Sequence, residues 1–135
     1  SQAWWQRKCG NGAMTVERLL VDTNVLVYHL GGRLDATRAL QGKEVHISFV
    51  TEIELQSKAT LSASDLASIH LALANYRISD INPAIKQITA ALRRRHGLKL
   101  ADALVAATAL HLDLPLLTAD GGFDRLKDEL EVRWL

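Results

Sequence analysis

Four carboxylates carry most of the chemistry visible in this chain. Asp22 directly follows an apolar run in LLVDTNVLVYHL, Glu54 sits in HISFVTEIEL, Asp102 in LKLADALVAATAL and Asp120 in PLLTADGGFD. Two unscreened carboxylates about 5 Å apart repel by roughly 3 kcal/mol at an effective dielectric near 20. Four in one cleft would have raised pKa values or would oppose folding. A divalent cation removes that conflict, and ligation by carboxylate and water oxygens alone suits Mg²⁺ or Mn²⁺. Such an ion activates water and stabilises charge on a phosphoryl oxygen. Asp102 is the sharpest clue, because Leu100, Ala101, Ala103, Leu104 and Val105 surround it in sequence. An ionised carboxylate in that setting is costly unless paired, solvated at a cleft or metal-bound.

Each acid also has a plain structural reading. Asp22 can cap a helix starting at Thr23, and Asp102 one starting at Ala103. Thr51 to Glu54 reads as a capping box, and Asp120-Gly121-Gly122 as a turn. Competing chemistries are sparse. The five histidines, at 29, 46, 70, 96 and 111, contain no zinc-spaced pair. No phosphate-binding P-loop, dinucleotide fingerprint or G-x-S-x-G elbow occurs. An aspartate-based phosphatase usually has a second Asp two residues after the first, where this chain has Asn24.

Short runs rich in Val, Ile, Leu or Phe supply the frame. Glu17–Val21, Val45–Phe49, Ile78–Ile81, Pro115–Leu117 and Glu131–Trp134 read as strands, and the weak alternation in three of them suits strands buried on both faces. Helical patterns lie between them. Leu61–Asn75 has Ser64 as its expected cap; Pro83–His96 opens on proline and ends at Gly97; Lys99–Leu112 is apolar on every side; Phe123–Leu130 is short and amphipathic. Strands alternating with helices predict an α/β domain with a central, mainly parallel five-stranded sheet flanked by helices. Ligands in such sheets bind beyond the carboxyl ends of the strands, where strand order reverses. Three of the acids fall just after strands, and Asp102 can reach the same edge from its helix.

With 135 residues the chain suits one domain, and 48% apolar residues allow a real core. Sixteen basic against fifteen acidic residues exclude a polybasic binder, and no apolar run approaches a membrane span. The single cysteine, Cys9, excludes an intramolecular disulfide, and a reducing, cytoplasmic setting is expected. Residues 1–13 lack any helical or alternating period, and Met14 is the only methionine. They are expected to be a foreign or upstream extension, leaving 14–135 as the domain. The densest basic stretch, Arg93-Arg94-Arg95-His96 followed by Lys99, is a candidate nucleic-acid contact or a solvated helix end. Tyr28 and His29 can stack on a base or pack internally.

From Leu19 to about Trp134 the sequence resembles the PIN-domain ribonucleases, most of all the VapC-type toxins of bacterial toxin–antitoxin modules. The elements that carry the likeness are the opening strand with DTN, T-x-x-EL from Thr51 to Leu55, the LADALVAATA helix and LLTAD after the fourth strand, in order. The resemblance implies endonucleolytic RNA cleavage with Mg²⁺ or Mn²⁺. It places Asp22, Glu54, Asp102 and Asp120 at the four acidic positions; the mechanism expected from them puts Asp22, Asp102 and Asp120 on the metal, with Glu54 helping to hold the ion or accepting a proton from the water. Thr23, Asn24 and Thr118 fall where small polar residues orient the carboxylates or water. Many relatives have Asp immediately before the Phe that follows; here it is Gly122, with Asp124 as a poorly aimed substitute. The resemblance also implies a homodimer and a cognate antitoxin, for which Val25, Leu26, Val27, Leu30 and Ile53 are candidate contacts. Two other readings stay open: metal-dependent phosphatase or DNA nuclease chemistry, and a catalytically degenerate PIN domain that binds RNA or protein.

Overall fold

A computed structural model describes residues 15–135. The expectations about residues 1–13 and Met14 lie outside the described residues. The elements in order are β1 (Arg18–Val21), α1 (Thr23–Leu30), α2 (Leu34–Leu40), β2 (Glu44–Ser48), α3 (Phe49–Leu55), α4 (Ala63–Leu73), β3 (Arg77–Ser79), α5 (Pro83–His96), α6 (Leu100–Leu112), β4 (Leu116–Thr118), a 3₁₀ turn (Gly121–Leu126) and β5 (Val132–Trp134).

The five strands form one sheet in the order β3-β2-β1-β4-β5, and every pairing is parallel. Parallel strands need crossovers, and the helices that supply them cover both faces. Alternation along each strand divides the core. Leu20 and Leu116 face one side with Ile85, Leu92, most of α6, Phe123 and Leu126. Leu19, Val21 and Leu117 face the other with Val25, Leu26, Leu40, Leu55, Ile69 and Leu73. Helix α6 is buried from Ala103 through Ala109 apart from Leu104, as its all-round apolar sequence requires. From β1 the chain builds outward to β2 and β3, then returns to add β4 and β5 on the other side. The strand order therefore reverses between β1 and β4, and ligands in such sheets bind beyond the carboxyl ends of the strands at that point.

Local signals were partly misplaced by sequence reasoning. Helix α4 is capped by Ser62, not Ser64. The Ser62 Oγ accepts from Asp65 N at 3.0 Å while Asp65 Oδ2 accepts from Ser62 N at 2.9 Å, and this reciprocal box selects the earlier serine. Ser62→Ala is expected to cost about 1 kcal/mol in urea unfolding, the usual loss for a helix cap. The Thr51–Glu54 capping box does not form: α3 begins at Phe49 with Ser48 as cap, so Thr51 is already helical. Helix α2 was not anticipated, and the expected Phe123–Leu130 piece is the 3₁₀ turn Gly121–Leu126. By contrast, α5 runs from its proline to His96 and stops at Gly97, whose φ of 65° is left-handed.

Candidate functional site

Asp22 directly follows β1 and caps α1. Its Oδ1 accepts from Thr23 N at 2.9 Å, so the capping reading is correct as far as it goes. The other oxygen, Oδ2, accepts from Thr118 Oγ1 at 2.8 Å, across to the last residue of β4. The Thr118 hydroxyl in turn accepts from Asp120 N at 3.0 Å, and Asp120 Oδ1 accepts from Gly122 N at 2.9 Å. Asn24 Oδ1 accepts from Ala119 N at 3.3 Å. The residues at and after the ends of β1 and β4 are thus laced together by hydrogen bonds.

Asp102 is the third residue of α6 and lies near enough to Asp120 and Glu54 for their charges to act on it. Glu54, on α3, is held from α1: Thr23 Oγ1 donates to Glu54 Oε1 at 2.6 Å. Electrostatics join all four acids. Burial pushes the Asp22 carboxyl above 3.8, its hydrogen bonds from Thr118 and Thr23 oppose this, and the charges of Asp102 and Glu54 push it further. Burial also raises Asp102, reinforced by Asp120 and Glu54 and opposed by Lys99. The exposed Asp35 and Asp65 behave oppositely: hydrogen bonds from Arg33 and Ser62 lower them.

A raised carboxyl binds protons more tightly in the folded chain than in the unfolded one. The stability contribution of Asp22 is therefore largest below 3.8 and is lost as pH rises through its raised value. Without divalent cation, the melting temperature of Asp22→Asn should match that of wild type in acid, exceed it by a growing margin as pH rises from 3.8 through the raised value, and then level off. A gap that stayed constant with pH would contradict this assignment.

The donor set is all oxygen, and its mutual repulsion calls for a cation. Among the described residues no three His, Cys, Asp or Glu side chains converge closely enough to grip one ion directly. This still fits Mg²⁺, which typically binds through one or two carboxylates and keeps several waters. It does not fit a closed cage of carboxylates.

Other expected site residues are placed less centrally. Asp124 faces solvent and its ion pair is with Lys127 at 4.0 Å, so nothing in its contacts brings it to the four acids. Arg95 and His96 both bind Glu129, at 2.8 and 2.6 Å, and Arg93 Nε donates to Leu98 O at 3.3 Å at the helix end. Arg94 and Lys99 form no salt bridge among the described residues, and of the basic stretch Lys99 is the residue whose charge acts on Asp102. Tyr28 carries Arg33 over its ring at 4.3 Å, and His29 Nδ1 lies 2.8 Å from Thr37 Oγ1. A groove of about 600 Å³ runs from Thr23 and Glu54 between α1, α3 and α4, past Val27, Leu30 and Ile69. Val25 and Leu26, expected as partner contacts, are instead fully buried core, whereas Val27, Leu30 and Ile53 are exposed. A cavity of similar size at the opposite sheet end, near Val16 and Tyr76, holds none of the four acids. Thr51, read from sequence as a capping-box residue and as the first residue of T-x-x-EL, has a contact that no local pattern marks: its hydroxyl lies 3.0 Å from that of Thr23.

The PIN domain family model matches residues 19–129, a span that contains all four acids and every strand but β5 and the first residue of β1. The chain belongs to the PIN domain family. A toxin–antitoxin complex from Klebsiella pneumoniae is 30% identical with a TM-score of 0.75, covering 85% of this chain and 95% of that one. FitAcB from Neisseria gonorrhoeae is 25% identical with a TM-score of 0.67, over 84% and 95%. VapBC2 from Rickettsia felis, bound to a promoter DNA fragment, is 20% identical with a TM-score of 0.74 over 87% and 98%, a likeness of fold alone. No curated protein matches the sequence. The parallel sheet of this PIN domain agrees with the fold expected from its sequence, and no helix among the described residues is long and apolar enough to cross a membrane.

Proposed function

We propose that this PIN domain is a metal-dependent endoribonuclease, the toxin of a toxin–antitoxin pair that acts inside the cell. The observation that carries the reading is the meeting of acids from separate elements: Asp22 after β1 is tied through Thr118 to the segment that carries Asp120 after β4, Glu54 is held by Thr23 beside Asp22, and the charges of Asp120 and Glu54 act on Asp102. Asp22, Asp102 and Asp120 would hold Mg²⁺ or Mn²⁺, directly or through water. When bound, the ion polarises a water and stabilises charge on the scissile phosphate. The protein does the rest. Thr118 and the Thr23 N–H fix both oxygens of Asp22. Glu54, with Oε1 held by Thr23, would use Oε2 to help hold the ion or to accept the proton of the attacking water. Lys99 supplies positive charge beside Asp102 for the RNA backbone, with Arg94 as a second contact on the same basic stretch and Arg93 and Arg95 more constrained.

The groove beside Thr23 and Glu54 suits the apolar face of an antitoxin segment, with Val27 and Leu30 as its contacts. The toxin–antitoxin complex from Klebsiella pneumoniae, 30% identical, supports such a partner, and a homodimer belongs to the same reading. One observation favours a degenerate, non-cutting domain: Gly122 stands where relatives often carry Asp, and a Cβ there would lie 3.2 Å from Asp120 Oδ1. Retention of four acids against phosphate weighs against it, since a pure RNA-binding surface gains nothing from clustered negative charge.

The deciding experiment incubates the purified full chain with RNA and with DNA, in Mg²⁺, in Mn²⁺ and in chelator, and sequences the new 5′ ends. Metal-dependent RNA ends that vanish in Asp22→Asn are expected. Binding of RNA without cutting would favour the degenerate domain, and preferential DNA cutting the nuclease alternative.

A further inference from the structure

Helical threonines commonly spend their hydroxyl on a carbonyl one turn back. Thr108 does so, donating to Leu104 O at 2.8 Å. Thr51 does not. It is the third residue of α3, fully buried, and its Oγ1 lies 3.0 Å from Thr23 Oγ1 on α1, 28 residues away. Thr23 Oγ1 also lies 2.6 Å from Glu54 Oε1. A hydroxyl has one proton to give. The short contact with a carboxylate takes the Thr23 proton, because a charged acceptor makes the stronger bond. Thr51 must then donate to Thr23, and the order of donation is Thr51 to Thr23 to Glu54.

Glu54 is an exposed side chain near the end of a seven-residue helix, and the Thr23 hydroxyl is its hydrogen-bond partner among the described residues. Thr23 also grips Asp22, through its backbone N–H at 2.9 Å. The same residue therefore sets both acids, and its hydroxyl can rotate unless something fixes it.

We propose that Thr51 is a positioning residue: its buried hydroxyl aims the Thr23 hydroxyl at Glu54 and so holds that carboxylate in register with Asp22. The inference rests on reading these acids as a metal-dependent ribonuclease site. Thr51→Val keeps the shape and removes the donor, whereas Thr51→Ser keeps the donor.

The test uses the full chain and three readouts. In metal-free protein, side-chain scalar couplings should report one Glu54 rotamer in wild type and Thr51→Ser, and averaging in Thr51→Val. Mn²⁺ affinity, measured without RNA, should fall about tenfold in Thr51→Val, the usual scale for a group supporting a ligand. The kcat for RNA cleavage should fall by a similar factor with little change in KM, Thr51→Ser should restore both, and Thr51→Val should add no loss in a Glu54→Gln background. Unchanged rotamers and Mn²⁺ affinity in Thr51→Val would overturn the proposal. So would a Thr51→Ser protein no better than Thr51→Val, or an undiminished loss in the Glu54→Gln background, since either means Thr51 only packs. If the wild-type chain cuts no RNA, the nuclease reading fails while the rotamer and Mn²⁺ measurements still decide the role of Thr51.

Discussion

Asp22→Asn is expected to lower metal-dependent RNA cleavage by ~100-fold or more, beyond the 10–100-fold typical of losing a group that merely supports a ligand. The same change should raise the melting temperature of the metal-free protein at neutral pH. Both effects have one cause. Asp22 is buried, and its ionised form is opposed by desolvation and by Asp102 and Glu54. Asparagine keeps an oxygen for the Thr23 N–H and turns its amide toward Thr118, whose hydroxyl can rotate to accept. The fold loses an unfavourable charge, and the site loses its innermost anionic oxygen. Stability sacrificed at a reacting centre is a common exchange in enzymes. A variant less stable than wild type and still active would remove Asp22 from the centre of the mechanism.

Phe123→Ala should destabilise the domain by about 3–5 kcal/mol in chemical denaturation, the range for deleting a buried aromatic ring. Phe123 is 1% exposed and packs in the cluster with Leu116, Leu126 and helix α6. Small domains have only about 5–15 kcal/mol in total, so the variant should lie near the edge of folding. The loss also bears on the site. Phe123 anchors the 3₁₀ turn whose Gly122 N–H holds Asp120, so the residual folded protein should cleave more slowly than wild type at equal folded concentration. A loss below about 1 kcal/mol would mean that the ring is not the anchor of this turn.

The frame was legible where the chain carries its own punctuation. Pro83 and Gly97 bracket α5, and the apolar run before Asp22 marks β1. Helix α2 was not, because LDATRAL is seven residues long and neither Arg33 nor Gln41 gives it a side-chain cap. Asp22 and Asp120 could be placed at one sheet edge from sequence because each closely follows an apolar strand, where a parallel sheet presents ligands. Contacts made only by tertiary approach left no such mark. Thr51 meets Thr23 because α1 and α3 pack side by side. Arg95 and His96 read as a free basic patch until Glu129, more than thirty residues on, is seen to bind them. Val25 and Leu26 were separable from Val27 and Leu30 only once the phase of α1 was known, since the helix turns one pair inward and the other toward the groove.

The central claim is that Asp22 and Asp102 belong to one divalent-cation site. Titration of the full-length protein with Mn²⁺, followed by paramagnetic resonance in the absence of RNA, tests it most directly. Saturable binding by wild type that weakens by at least about tenfold in both Asp22→Asn and Asp102→Asn, with Asp124→Asn unaffected, is the predicted result. Mn²⁺ bound equally well by wild type and by both site variants would contradict it.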